Sequence, residues 1–136
     1  MKKYILDASV ILTFLLSEKA DTVKKVTGLL RQTKDKKVKL YSSPLLPLEV
    51  TNGLRFSLID EKQAGDILEI FLTLPIELQN LTDGHYLKAL PLSYKLGTSV
   101  YDTSYHQLAL SLGGTFVTAD NKYFTKAKHL KAIELV

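Results

Sequence analysis

"YILDASVILTFLL", residues 4–16, is the stretch on which the rest of the chain turns. With Lys2 and Lys3 in front of it, it imitates the basic and apolar regions of a secretion signal. Asp7 interrupts the apolar run, however, and no small-residue cleavage site follows. The stretch reads instead as a strand over 3–6 that ends at Asp7 and passes at once into a helix over 8–17. A strand handing over to a helix within one residue opens a βα unit and leaves Asp7 at the strand's carboxyl end.

The same alternation continues along the chain. Val23, Val26, Leu29 and Leu30 form one stripe of a helix over about 20–33, with lysines opposite. "KDKK" (34–37) is a solvated turn, and "VKLYSS" (38–43) alternates as a strand. Pro44 is expected to open a helix carrying Leu48, Val50, Leu54 and Leu58. Asp60 caps a helix over 61–74, and "PIELQN" (75–80) reads as a strand. A helix over 81–97 starts at Thr82, contains Pro91 and stops at Gly97. The helix begun by "SVYDTSYHQLAL" (99–110) ends at Gly113-Gly114. "TFVTAD" (115–120) is a strand, "NKYFTKAKHL" a short basic helix and "KAIELV" a last strand. Strands alternating with helices predict a mostly parallel sheet covered on both faces, in one α/β domain over residues 1–136.

Composition narrows the class. A 136-residue chain with 46% hydrophobic and 24% charged residues has the balance of a globular protein with a real core. The absence of cysteine excludes disulfides and thiolate metal sites and fits a reducing cytosol, so a cytoplasmic location is expected. No apolar run reaches the ~18 residues of a spanning helix, so no membrane partner is expected. A net charge of +4 is compatible with a polyanionic partner without requiring one.

Of the 14 acidic residues, most lie among lysines, in polar turns or on outward faces. Four stand apart. Asp7 closes "YIL", Asp120 closes "FVTA", and Glu49 and Asp102 lie early in helices that should begin at the carboxyl edge of the sheet, where open α/β folds build their sites. Each alone is equally a strand-end or helix-start charge. Together, four carboxylates about 5 Å apart would repel by roughly 3 kcal/mol per pair at an effective dielectric of ~20, on the order of 20 kcal/mol in all. A domain stable by ~5–15 kcal/mol could not hold that charge without protons or cations. Oxygen donors without Cys or His favour Mg²⁺, or Mn²⁺ in its place.

"YILDASVIL" with Asp7 and Ser9, "LEVTNGL" with Glu49 and Asn52, "SVYDTSYHQLAL" with Asp102, and "FVTADNKYF" with Thr118 and Asp120 resemble, in order and spacing, the motifs of a PIN domain. They are most similar to the small ribonuclease toxins of the VapC type. The resemblance spans the chain. It implies a three-layer α/β/α sandwich with a short, mostly parallel sheet, and a Mg²⁺ or Mn²⁺ site on Asp7, Glu49, Asp102 and Asp120. It also implies endonucleolytic cleavage of RNA, a cognate antitoxin and a homodimer. Some relatives carry another acid after "TAD"; here Asn121 follows, leaving fewer oxygens for a second ion.

Metal-assisted hydrolysis suits that set, because an RNA phosphodiester needs an activated water and neutralised oxygens. Ser9 and Thr118, each two residues from a carboxylate, are candidates to steady the ligands or touch phosphate. Arg55, Lys122, Lys126 and Lys128 are candidates for backbone contact. His106, four residues after Asp102, is a conceivable general acid but better suited to a structural role; Tyr101 and Tyr105 are candidates for base stacking or core packing. A phosphate-accepting receiver domain needs an acidic pair after the first strand, and a haloacid-dehalogenase-like phosphatase an aspartate at position 9, where Ser9 stands. The serious alternative is a PIN-like fold that binds RNA or protein without cutting.

Overall fold

The computed structural model describes residues 1–136. In chain order the elements are β1 (Lys2–Leu6), α1 (Ala8–Leu15), α2 (Ala20–Lys34), β2 (Val38–Ser42), α3 (Leu46–Ser57), α4 (Glu61–Leu72), β3 (Ile76–Leu78), α5 (Asp83–Leu96), α6 (Val100–Leu112), β4 (Thr115–Thr118), α7 (Asn121–Ala127), a 3-10 turn (Lys128–Leu130) and β5 (Ile133–Leu135). The five strands run in the order β3-β2-β1-β4-β5. Every pairing is parallel, so all carboxyl ends emerge on one edge.

Neighbouring residues within a strand serve opposite faces, the period-two rule of a sheet buried on both sides. Leu6, Val38, Leu40 and Val117 pack beneath α1–α4 with Val10, Ile11, Val26, Leu46, Val50 and Leu54. Ile5, Tyr41 and Phe116 pack on the other face with Tyr105, Leu108, Ala109 and Tyr123 of α6 and α7. This is the expected three-layer α/β/α arrangement. Two glycines permit close approach within it. A Cβ at Gly53 of α3 would run into the side chain of Leu12 on α1, and one at Gly114 would lie 2.7 Å from the carbonyl of Lys3 in β1.

Beside shifts of one or two residues at other element ends, three boundaries differ from the sequence expectation. The third helix starts at Leu46 with Pro47 in its first turn, not at Pro44. Ser43 explains this: its hydroxyl accepts from the Leu45 amide and its carbonyl from the Leu46 amide, forming a turn that uses up "SSP" before the helix begins. The basic segment after Asp120 is helical only to Ala127 and tightens into a 3-10 turn. The last strand begins two residues late, because Lys131 and Ala132 have φ of 62° and 54°, outside the extended range of a strand, although the Ala132 carbonyl accepts from the Phe116 amide. Pro91 lies inside α5 without ending it.

Candidate active site

At the carboxyl edge, Asp7 follows β1 and caps α1, its carboxylate accepting from the Val10 amide at 3.0 Å. Ser9 donates to Oδ1 and Thr118, at the end of β4, donates to Oδ2, each at 2.6 Å. The two hydroxyls lie 3.2 Å apart and are tied to the backbone in turn. Ser9 accepts from the Ala119 amide and Thr118 from the Asp120 amide, each at 3.0 Å. Asp7 is thus fixed from three directions and only 8% exposed. Burial pushes its carboxyl up to about 6, against the downward pull of the Ser9, Thr118 and Val10 hydrogen bonds and with a further upward push from the charge of Asp120.

The other acids reach the same edge by different routes. Asp120 caps α7, accepting from the Tyr123 amide at 3.1 Å. Glu49 lies in the first turn of α3, which follows β2. Asp102 lies in the first turn of α6. That helix runs back across the sheet to the start of β4, so it begins at the carboxyl edge. The Ser99 hydroxyl caps it by accepting from the Asp102 amide. Loss of water raises the Glu49 carboxyl above its ordinary value, Tyr105 pulls it down, and Asp102 pushes it up. Asp102 is raised by partial desolvation and by Asp120, while Ser99 and Lys126 oppose the rise. Repulsion therefore runs in an unbroken series from Asp7 through Asp120 and Asp102 to Glu49.

As the side chains lie, no three of these carboxylates meet closely enough to grip one ion. Their chemistry nevertheless suits a hard cation. The donors are oxygens only, three of the four carboxyls are held above their ordinary values, and Lys126 is the one cation that relieves any of them.

The remaining residues singled out from the sequence divide. Asn52 is exposed on α3, three residues beyond Glu49 and so on its side of the helix. Arg55 does not join the acids. Six residues beyond Glu49 it has turned away, stacks over the Phe56 ring at 5.1 Å, and lines the groove between α3 and α4 with Leu54, Leu58 and Ala64. Lys122 and Lys128 are exposed, whereas Lys126 donates to the Gly97 carbonyl at 3.0 Å beside the start of α6. His106 is fully buried, with Nε2 at 2.8 Å from the Lys131 carbonyl and Nδ1 at 2.9 Å from the Tyr123 hydroxyl. Burial lowers its pKa, so the neutral ring donates from Nε2 and accepts at Nδ1, which is a structural task. Tyr101 is exposed beside Asp102.

Tyr105, a candidate for stacking or packing, takes the packing role, and its bond to Glu49 is not legible in the sequence. The side chain is buried, yet its hydroxyl donates to Glu49 Oε1 at 2.8 Å. The one hint in the sequence was its place three residues after Asp102, on the same side of α6.

The family whose description is PIN domain matches residues 4–130. No curated relative matches the sequence. Among solved structures, the fold is similar to VapBC2 from Rickettsia felis bound to a DNA fragment from their promoter, with a TM-score of 0.70, 16% identity and coverage of 98% of this chain and 97% of that one. It is similar to PAE2754 from Pyrobaculum aerophilum, with a TM-score of 0.66, 21% identity, and 92% and 86% coverage. It is also similar to VapBC-1 from nontypeable Haemophilus influenzae, with a TM-score of 0.65, 22% identity, and 98% and 97% coverage.

Proposed function

The chain belongs to the PIN domain family, and on that premise we propose that it is a divalent-metal-dependent endoribonuclease, the toxin of a type II toxin–antitoxin pair. The observation that carries the proposal is the held carboxylate of Asp7. A buried acid whose two oxygens are fixed by Ser9 and Thr118, at the head of a series of mutually repelling acids, is costly as structure and useful as a ligand. Asp7, Glu49, Asp102 and Asp120 would hold Mg²⁺ or Mn²⁺. Such an ion, when bound, supplies an acidified water and screens the scissile phosphate.

The chain's own residues do the rest. Ser9 and Thr118 fix the Asp7 oxygens. Lys122 and Lys126 offer cations to the RNA backbone beside Asp120 and Asp102, and Tyr101 offers an exposed ring to an unstacked base. The groove between α3 and α4, with Leu54, Leu58, Ile59, Ala64 and Leu68 along it and Phe56 exposed nearby, supports a cognate antitoxin or a homodimer as a further partner. No helix is long and apolar enough to cross a membrane. The proposed place of work is the cytoplasm.

The test is cleavage of a single-stranded RNA by the full chain with Mg²⁺, with EDTA, and by Asp7→Asn and Asp102→Asn variants whose folding is checked by melting. EDTA and each substitution are expected to lower the rate by roughly two to three orders of magnitude. Cleavage untouched by EDTA overturns the metal mechanism. RNA binding with no cleavage under any metal means the fold serves as a binding module.

A further inference from the structure

The Tyr105–Glu49 hydrogen bond is the only side-chain hydrogen bond that joins a helix of one layer to a helix of the other, α6 to α3 across the carboxyl edge of the sheet. Its two ends differ in freedom. The Tyr105 ring is 2% exposed and lies nearly parallel to Phe116, with centroids 6.1 Å apart and planes at 12°. Phe116 is backed in turn by the Tyr123 ring, edge-on at 5.7 Å. The hydroxyl therefore projects from a packed wall and has no slack. Glu49 is a long side chain at a partly open position, and Tyr105 is its only hydrogen-bond partner in the protein. A glutamate left to itself there would spread over many rotamers, and an ion would have to gather it at an entropic cost.

We propose that Tyr105 is a positioning residue that holds Glu49 Oε1 and so restricts the carboxylate that, with Asp102, would serve as ligand to a divalent cation. This rests on the metal site proposed above and adds to it a division of labour. Asp7 is fixed from within its own layer and β4, by Ser9 and Thr118. Glu49 is held from the opposite layer, by a phenol whose ring is buried in the core. The acid alone would bind loosely; the phenol makes it a preorganised ligand.

A thermodynamic cycle on Mn²⁺ binding to the full chain, read by titration calorimetry or by electron paramagnetic resonance of free Mn²⁺, tests this. Tyr105→Phe keeps the ring and removes only the hydroxyl. It is expected to weaken Mn²⁺ binding by about tenfold, the usual scale for a residue that orients a ligand. On a Glu49→Gln background the same substitution should change the affinity no further, because its route to the ion has gone. Glu49→Asp leaves the buried ring untouched and draws the carboxylate out of the hydroxyl's reach, so it should weaken binding at least as far as Tyr105→Phe. Melting in EDTA establishes that each variant folds. Equal losses from Tyr105→Phe in the otherwise unmodified chain and on the Glu49→Gln background mean that the tyrosine only joins the layers, which overturns the proposal and spares the metal site. Wild-type affinity in Tyr105→Phe or in Glu49→Asp overturns it likewise. An unmodified chain that takes up no Mn²⁺ overturns the metal site and this role with it.

Discussion

Asp7 accepts three hydrogen bonds and is closed off from solvent, while Asp102, at the same edge, is exposed and draws on the charge of Lys126. Both carboxyls are held above their ordinary values, with loss of water as the largest cause in each, but they depart from that common start in opposite ways. At Asp7 the fold gives up solvation and replaces it with fixed donors. At Asp102 it removes water only in part and sets the charge of Lys126 nearby. The inner acid is a fixture whose geometry was settled on folding; the outer one is free to respond to what arrives. A site that must be both precise and accessible can divide those demands between two residues of the same type.

The sharpest way to break the comparison is to remove the inner charge. Asp7 is raised to about 6 from the ordinary value of 3.8 that it has in the unfolded chain. Its contribution to stability is therefore fully present below about pH 4 and is lost as pH rises through about 6. The loss amounts to about 3 kcal/mol at neutral pH. Asp7→Asn does not titrate, so the stability of wild type relative to this variant should fall by about 3 kcal/mol between pH 3.5 and 7.5 in urea unfolding. At pH 7.5 the variant should be the more stable protein, although the lost acceptor returns about 1 kcal/mol of that gain. A difference between the two proteins that does not move with pH would mean that Asp7 is not a buried, ionised carboxylate. Asp102→Asn should change stability by no more than about 0.5 kcal/mol at either pH.

Next in size is the loss of a fixed donor. Thr118→Val conserves shape but strips Asp7 Oδ2 of its hydroxyl and leaves the Asp120 amide unpaired. It should cost about 1–3 kcal/mol at pH 7.5 and less at pH 4, where a protonated Asp7 no longer needs the donor and only the Asp120 amide still lacks its acceptor. Equal costs at the two values would place Thr118's contribution in packing and in its bond with the Asp120 amide, and not in the Asp7 carboxylate. Smallest is the outer cation. Lys126→Met should leave the melting temperature nearly unchanged but lower the slope of log affinity for single-stranded RNA against log salt by about 0.7, the share of one phosphate contact. An unaltered slope would confine Lys126 to its bond with the Gly97 carbonyl.

Asp7, Asp120 and the parallel sheet were legible because strand ends and helix starts are local events, marked by where an apolar run stops. The start of α3 was misplaced because Pro44 and Pro47 both suit a first turn, and only the Ser43 hydrogen bonds decide between them. The bond from Tyr105 to Glu49 is hidden for another reason. Residues Thr103–Ala109 of α6 are buried in succession, so the helix has no single apolar stripe against which a functional position stands out. What its hydroxyl meets is decided by α3, 56 positions earlier. His106 likewise looks available on the face of Asp102 until the Lys131 carbonyl, 25 residues on, claims its ring. Arg55 shares a helix with Glu49, but six residues turn it to another side.

One of the three bonds that hold Asp7 is far from local, since Thr118 lies 111 positions after it. A polypeptide emerges from the ribosome amino end first, so Asp7 is made early and waits for β4 to be synthesised before its second oxygen has a donor. Until then the central strand β1 lacks one of its two neighbours as well. A chain without β4 therefore has its first acid but no assembled edge, and whatever chemistry that edge performs begins only after β4 has been made.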